Sequence, residues 1–215
     1  MIVYWFLLLI TAAVAYSFGS VSTLSIAGVF VFHSNLHRIG KKQLFVSNFR
    51  RLYGYLGFLK LFAVELVRDL LPVLLGGLLL SIQGHADVGR AFAVFCLVLG
   101  RLFPVFNRFR GSTASLCLAI GMFCVNSSVG ISALIAVAAV TWFSRYPSLG
   151  AIAAAVMTAL VTVLVADGTL LILLCVLSAA IVLIRNLPAL SRISQGKEFR
   201  LSMEEDISYK FEERF

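Results

Sequence analysis

Apolar runs long enough to cross a hydrocarbon layer recur along this chain, and they leave few folds open. A helix needs about 20 mostly apolar residues to span a bilayer core. Inside that core only helices and closed barrels satisfy every backbone polar group. The first run covers about Ile2 to Ser22, the second Tyr53 to Leu80 and the third Arg90 to Phe106. The stretch Ser112 to Phe143 is too long for one helix at the usual thickness. Asn126-Ser127-Ser128 and Gly130 interrupt it near the middle, so it is read as two short helices joined by a tight turn. The sixth run covers about Leu149 to Val165 and the seventh Thr169 to Ile184, with Asp167-Gly168 as the turn between them. Composition agrees. Hydrophobic residues make up 60% of the chain and charged residues 13%. A water-soluble domain has about half and about a quarter. The opening MIVYWFLLLI has no positive n-region, so it is read as a first span rather than a cleaved signal.

The fold class expected is therefore all-α, a polytopic membrane protein of seven transmembrane helices. Residues 1-190 form the membrane domain with its connecting loops, and residues 191-215 a polar tail. Seven crossings put the termini on opposite sides, and the basic residues choose which. Of the 18 Lys and Arg, fifteen fall in alternate loops and the tail, on the side that carries the C-terminus. Lys60 and Arg68 sit within the second run, and Arg90 alone falls on the other side. Cytoplasmic loops collect Lys and Arg, so the tail is expected in the cytoplasm and Met1 outside. A six-helix alternative would strand Arg145 outside, which favours the split of residues 112 to 143.

The net charge of +8 would suggest nucleic acid in a soluble protein. Here the cations are short clusters between apolar runs, so the expected partner is membrane lipid, and nucleic acid is not expected. The four cysteines lie in apolar runs without a CxxC pair, as small apolar residues do. His33, His37 and His85 fit no metal spacing, so neither a metal nor any other cofactor is implied. Glu65, Arg68 and Asp69 are spaced three and four apart and share one face of the second helix. Charges at that depth either line a polar site or lock two helices as an ion pair, and the spacing fits both.

The basic loops carry the recognisable chemistry. They read HSNLHRIGKKQLFVSNFRR, GRLFPVFNRFRGSTAS and FSRYPSLG, and the tail begins IRNLPALSRISQGKEFR. Arginine forks and clustered backbone N–H groups suit phosphate. A fourth helix starting near Gly111-Ser112-Thr113 would turn its first amides toward an arriving anion. In this order and spacing, the segments resemble the bacterial acyl-phosphate:glycerol-3-phosphate acyltransferase family, from Tyr16-Ser17-Phe18-Gly19-Ser20 to about Glu198. The resemblance implies a seven-helix inner-membrane enzyme. It would move a fatty acyl group from acyl phosphate to glycerol 3-phosphate, giving lysophosphatidate without acyl-CoA.

Carried over residue by residue, the resemblance assigns phosphate or substrate contacts to Ser47, Asn48, Arg110, Gly111, Ser112, Thr113, Arg145, Ser148, Arg192 and Glu198. The third loop keeps Arg145, Tyr146, Ser148 and Leu149, and the tail keeps Arg192, Gly196 and Glu198. The first loop keeps Gly40 and Asn48 of the pattern G-S-G-N-x-G-x-T-N, with Ser47 as a hydroxyl replacement and Lys42, Gln43 and Phe45 in place of the inner residues. The second loop keeps Gly100, Phe103-Pro104-Val105-Phe106, Phe109 and Gly111. Its usual histidine is Arg101, its lysine Arg110, and its closing G-K-G has become Ser112-Thr113-Ala114. In the tail, Asn186 and Pro188 stand where the family has histidine and glutamate. Two functions follow. One is an acyltransferase of this type. The other is a diverged paralogue that keeps the fold and binds lipid or another anionic substrate, or regulates an active partner. A small transporter is a third class, but the chain shows no inverted halves or matched broken helices. In the second loop, Phe103, Phe106 and Phe109 are expected to pack, and Ser148 reads equally as a helix cap before an apolar run.

Overall fold

A computed structural model describes residues 2–23, 26, 27, 46–107, 109 and 111–198. These fall in two compact units. One takes its described residues from Met1–Val21 and Asp69–Arg200, the other from Ser22–Arg68. Regular structure among them is helical: α1 (Ile2–Ser20), α2 (Val46–Ser81), α3 (Ala86–Leu102), a 3-10 turn (Val105–Asn107), α4 (Ser115–Val125), α5 (Ser127–Ser144), α6 (Pro147–Val165), α7 (Thr169–Asn186) and the short α8 (Pro188–Ser194). Helix α2 is divided between the units at Asp69.

The first unit is a bundle whose polarity is reversed relative to a water-soluble protein. Its outward side chains are large and apolar: Trp5 and Leu9 on α1, Ile135 and Trp142 on α5, Leu160 and Leu164 on α6, Leu173 and Ile184 on α7. Its interior mixes small or weakly polar residues, Ala91, Ala93 and Cys96 on α3, Ala151, Ala154, Thr158 and Thr162 on α6, Cys175 and Ser178 on α7, with larger apolar ones such as Leu97, Leu118 and Met122. Lipid is as apolar as leucine, so association inside it relies on close packing, and small residues permit that. Large outward apolar side chains of this kind suit contact with lipid. This is the arrangement of a helical membrane protein.

Helix α1 packs along α3, α5 on α6 and α6 on α7, while α4 touches α3, α5, α6 and α7. Seven of the 11 residues of α4 are buried, and a helix apolar on all sides belongs in an interior. A close backbone approach joins α1 to α3. A Cβ on Gly100 would run into the carbonyl oxygen of Tyr16, and one on Gly19 into that of Leu97.

Asn126 ends α4 and starts α5, and its side chain accepts from the amides of Ser128 and Val129 at 2.9 and 3.4 Å. The expected break in residues 112 to 143 is there, made by an N-cap. Gly130 is no part of it. That residue lies inside α5, where a Cβ would strike the Phe123 backbone, so it serves the α4–α5 contact.

Other boundaries moved. Helix α2 begins at Val46, ahead of the expected Tyr53, because Phe49, Leu52, Tyr53 and Leu56 continue a helical apolar spacing into the basic segment. Helix α3 begins at Ala86, so Arg90 belongs to the helix, with Nη1 3.0 Å from Asp87 Oδ1. The tail is not irregular from Arg185 onward. Helix α7 continues to Asn186, and Pro188 then opens α8 at a position where a missing N–H costs nothing.

Among the described residues, four helical segments are long and apolar enough to cross a membrane: Val3–Ser20, Ser127–Ser144, Pro147–Val165 and Thr169–Ser194. Helix α4, at 11 residues, rises only about 16 Å, roughly half the hydrocarbon thickness. If the α1–α3 contact holds the bundle, Gly100→Val should lower the thermal midpoint of the detergent-solubilised protein by the equivalent of about 1–3 kcal/mol. Leu164→Ala, on the outward surface, should leave it nearly unchanged. Equal loss in both variants would refute the packing argument.

Candidate functional site at the basic end of the bundle

The loops at one end of the first unit are held in shape by strained backbone. Among the described residues, the non-glycine residues at positive φ are Phe109 (60°), Ala114 (55°) and Arg145 (63°). All three lie in the second and third of the basic loops. A left-handed L-residue costs about 1–2 kcal/mol, so the surroundings must hold it.

Two of the three sit at helix ends. Ala114 precedes α4 and Arg145 follows α5, with the Arg145 amide donating to the Thr141 carbonyl at 2.9 Å. Glycine usually fills such a C-terminal cap. Here the position carries an exposed arginine, followed by Tyr146 and by Pro147 as the first residue of α6.

Ser148 is buried in the first turn of α6. Its hydroxyl donates to Glu198 Oε1 at 2.6 Å, so it does not cap the helix; the N-cap is Tyr146. Glu198 Oε2 accepts from Arg192 Nε at 2.6 Å. The third loop and the tail therefore meet through one carboxylate. Gly196 at φ 66° and the bond from the Lys197 amide to the Arg192 carbonyl, 2.9 Å, turn the chain after α8 so that Glu198 faces back.

Burial pushes the Glu198 carboxyl upward. Hydrogen bonds from Arg192 and Ser148, with the Arg192 charge, outweigh it and hold the pKa below the usual carboxylate range. At neutral pH the junction presents one anion between a hydroxyl and a guanidinium, with the exposed Arg145 two residues before Pro147.

The second loop is tied in by backbone. Gly111 lies against the carbonyls of Leu102 and Arg101, where a Cβ has no room, and the Ser112 amide donates to the Arg101 carbonyl at 3.3 Å. Asn186, buried at the end of α7, donates from Nδ2 to the Thr113 carbonyl at 3.1 Å and to its own helix at Val182, 2.7 Å. Tyr16 Oη donates to the Phe103 carbonyl at 2.8 Å. Non-helical backbone beside apolar helices must find such partners in the protein.

The expected start of the fourth helix is thus revised. Helix α4 begins at Ser115, and the Ser112 amide already serves Arg101. Phe103, Phe106 and Phe109 do not pack inside: they are 41%, 72% and 61% exposed, while Pro104 between them is buried. A loop closed by its own backbone has no interior to take three rings.

The structure brings together Ser148, Arg192 and Glu198, with Arg145 three residues before Ser148 in the chain, and separately ties Thr113, next to Gly111 and Ser112, to Asn186. Arg110 lies outside the described residues, as do Gly40, Lys41, Lys42, His33 and His37. Ser47 and Asn48 fall in the first turn of α2, in the second unit, rather than in a loop. In that unit Glu65 and Arg68 are buried, and Arg68 Nη1 donates to Thr23 Oγ1 at 2.8 Å. Asp69, in the first unit, is buried too, and Lys60 is exposed. Sequence reasoning missed Asn186 and Tyr16 as positioning residues. In the sequence Asn186 stands out only as a replacement, and its place one turn beyond Val182 is the available signal.

Taken together, the apolar-faced bundle and its hydrogen-bonded loops define an all-helical membrane protein. The family model described as glycerol-3-phosphate acyltransferase matches residues 9–196, and the chain belongs to that family. A glycerol-3-phosphate acyltransferase of Paraburkholderia phymatum is 28% identical over 193 residues, covering 90% of this chain and 92% of the relative. One from Thermoanaerobacter sp. (strain X514) is 24% identical over 199 residues, covering 92% and 98%. Among solved structures, the lysophosphatidic acid form of PlsY (YgiH), an integral membrane glycerol 3-phosphate acyltransferase, matches with a TM-score of 0.70 at 20% identity, covering 90% of this chain and 94% of that one. Its glycerol 3-phosphate form gives 0.69, covering 91% and 96%. The likeness fixes the fold.

A carboxylate whose pKa falls on folding stabilises the fold above the ordinary carboxylate range, and that stability is lost as pH drops through the lowered value. The thermal midpoint of the wild type should therefore fall on acidification below that range. Glu198→Gln should start lower at neutral pH and fall less. A Gln variant with an unchanged acid profile would show that the junction contributes nothing.

Proposed function

We propose that the protein is a membrane glycerol-3-phosphate acyltransferase, making lysophosphatidate from acyl phosphate and glycerol 3-phosphate as a step of phospholipid synthesis. Family membership over residues 9–196 supports this reading. The observation that carries it is the junction in which Ser148 and Arg192 share the Glu198 carboxylate, with Arg145 held in a strained cap beside it. A protein that only anchored its arginines in lipid would have no need of that strain.

In the reaction a glycerol 3-phosphate hydroxyl oxygen bonds to the acyl carbon. The bond from that carbon to the phosphate oxygen breaks, and its electron pair leaves with inorganic phosphate, which also takes the hydroxyl proton. Nothing in the balance calls for a cofactor. Arg145 and Arg192 supply charge to the phosphates and Ser148 a hydroxyl donor, while Glu198 orients Arg192 and Ser148. Charge-assisted bonds aimed at developing negative charge account for the largest share of such catalysis. By resemblance alone, Ser47, Asn48, Arg110, Gly111, Ser112 and Thr113 make further phosphate contacts; by their helical spacing, Glu65, Arg68 and Asp69 share one face of α2, as a polar lining or an ion pair between helices.

The proposed topology has seven spans, with α2, α3 and α4 crossing beside the four longer apolar segments. Met1 is outside and the tail cytoplasmic, in the bacterial inner membrane. Residues 1-190 form the membrane domain and residues 191-215 the tail. The clustering of basic residues in alternate loops supports this orientation.

A second reading has one observation in its favour. The Ser112 amide and the Thr113 carbonyl are both engaged within the protein, where the family resemblance would have a glycine-flanked lysine. On that reading the fold is kept for binding lipid or another anion.

The purified protein, given acyl phosphate and glycerol 3-phosphate in detergent, should release lysophosphatidate and inorganic phosphate in equal amounts. Arg145→Ala should lower kcat/KM about 100-fold, the usual consequence of losing one donor to a developing charge. Arg145→Gly should do the same while keeping or raising the thermal midpoint, because glycine relieves the left-handed strain. A folded wild type that binds acyl phosphate and yields no lysophosphatidate would establish the second reading instead.

A further inference from the structure

The exposed face of α7 ends in a cation, and that cation has a partner on another element. Leu170, Leu173, Leu177 and Ile184 follow helical spacing along the outward face and are all more than 40% exposed. Arg185 comes next, at the margin of this stripe in the last turn of the helix, and is itself exposed. Its guanidinium carbon lies 5.9 Å from the centre of the Phe103 ring, within cation–π range.

Phe103 is itself held in place. Its carbonyl accepts from Tyr16 Oη, Pro104 behind it is buried, and the following 3-10 turn packs against α1. Two elements therefore present a fixed aromatic face, an aliphatic ridge and a cation where the ridge stops.

A stripe of leucine and isoleucine matches acyl chains and ends where the hydrocarbon does. A guanidinium at that level meets headgroups, and its fork suits a phosphate diester. Other aromatic side chains are exposed near the same helix ends, Phe106 and Phe109 after α3 and Trp142 and Phe143 in the last turn of α5, the residue types of an interfacial aromatic belt. Stacking on Phe103 holds Arg185 against free sampling, so less side-chain freedom is lost when a headgroup binds.

We propose that Arg185, Phe103 and the Leu177–Ile184 ridge bind one anionic phospholipid, with its phosphate on the Arg185 guanidinium and an acyl chain along the ridge against the Phe103 ring. The site lies on the lipid-facing surface and uses none of the residues assigned to acyl transfer, so it does not depend on that activity. Its occupant is a bilayer lipid rather than free phosphate, because the apolar ridge makes up most of the surface.

Native mass spectrometry of the full chain released from detergent tests this, with dioleoylphosphatidylglycerol and dioleoylphosphatidylcholine as probes. The wild type should retain the anionic lipid over the zwitterionic one by about fivefold at one site, the contribution of a single interfacial arginine. Arg185→Gln should carry one fewer phosphatidylglycerol, and Arg185→Lys, which keeps the charge without the planar fork, should fall between. Ile184→Ser should weaken retention of both lipids and keep the preference between them. Thermal midpoints equal to the wild type's show that the variants fold. Equal retention of the two lipids by the wild type would overturn the proposal, as would an unchanged phosphatidylglycerol count in a folded Arg185→Gln. Complete displacement of the lipid by millimolar inorganic phosphate would show a phosphate site without lipid character, which also overturns it.

Discussion

Backbone contact between α1 and α3 underlies the rest of the first unit. In lipid there is no gain from hiding apolar surface, so helices stay together through close packing and the few polar bonds it brings within reach. Gly19 and Gly100 let the two backbones touch, and the consequences run outward from that point. Tyr16 comes within hydrogen-bond distance of the Phe103 carbonyl, Ser20 Oγ lies 3.5 Å from the Gly100 carbonyl, and the chain after α3 is fixed before it turns. Gly111 then folds back on Leu102, so the second loop is closed by its own backbone. Larger residues at these positions would separate α1 from α3 and release the loop that leads into α4.

The basic end of the bundle is where the strained non-glycine backbone of the described residues collects. Left-handed backbone at Phe109, Ala114 and Arg145 is unfavourable, and glycine would remove the cost at each. The chain keeps side chains there, and the strained residues flank the loops that resemble an acyltransferase. Ser148, Arg192 and Glu198 are satisfied by one another, which keeps a carboxylate ionised between two donors. That charge balance accounts for the lowered Glu198 pKa and for the link between the start of α6 and the chain after α8.

The comparisons fit this division between scaffold and loops. A 20% identical structure superposes with a TM-score of 0.70, because the scaffold requires only apolar residues facing outward and close-packed apolar or small residues inside. Many sequences satisfy that. The second loop tolerates less, since its carbonyls and amides need particular partners. Arg101, Ser112, Thr113 and Asn186 all occupy positions where this chain departs from the resembling pattern, and all four take part, as two pairs, in the bonds that hold the loop closed. Their changes belong together structurally: Asn186 reaches the Thr113 carbonyl, and the Ser112 amide reaches the carbonyl of Arg101.

The sequence by itself determined the helical membrane class, the family and the break at Asn126, because hydrocarbon length, turn chemistry and motif order are all local in the chain. It also placed Arg145, Ser148, Arg192 and Glu198 among the candidates. Only the tertiary structure decided that Ser148 bonds Glu198 rather than capping α6, since the two are fifty residues apart and meet only after α8 turns back. The same holds for Phe103, Phe106 and Phe109, which read as core residues and lie exposed, and for Gly130, which reads as a breaker and is a contact. Spacing tells which residues share a face of one helix; which neighbour that face meets is settled by packing between helices distant in sequence.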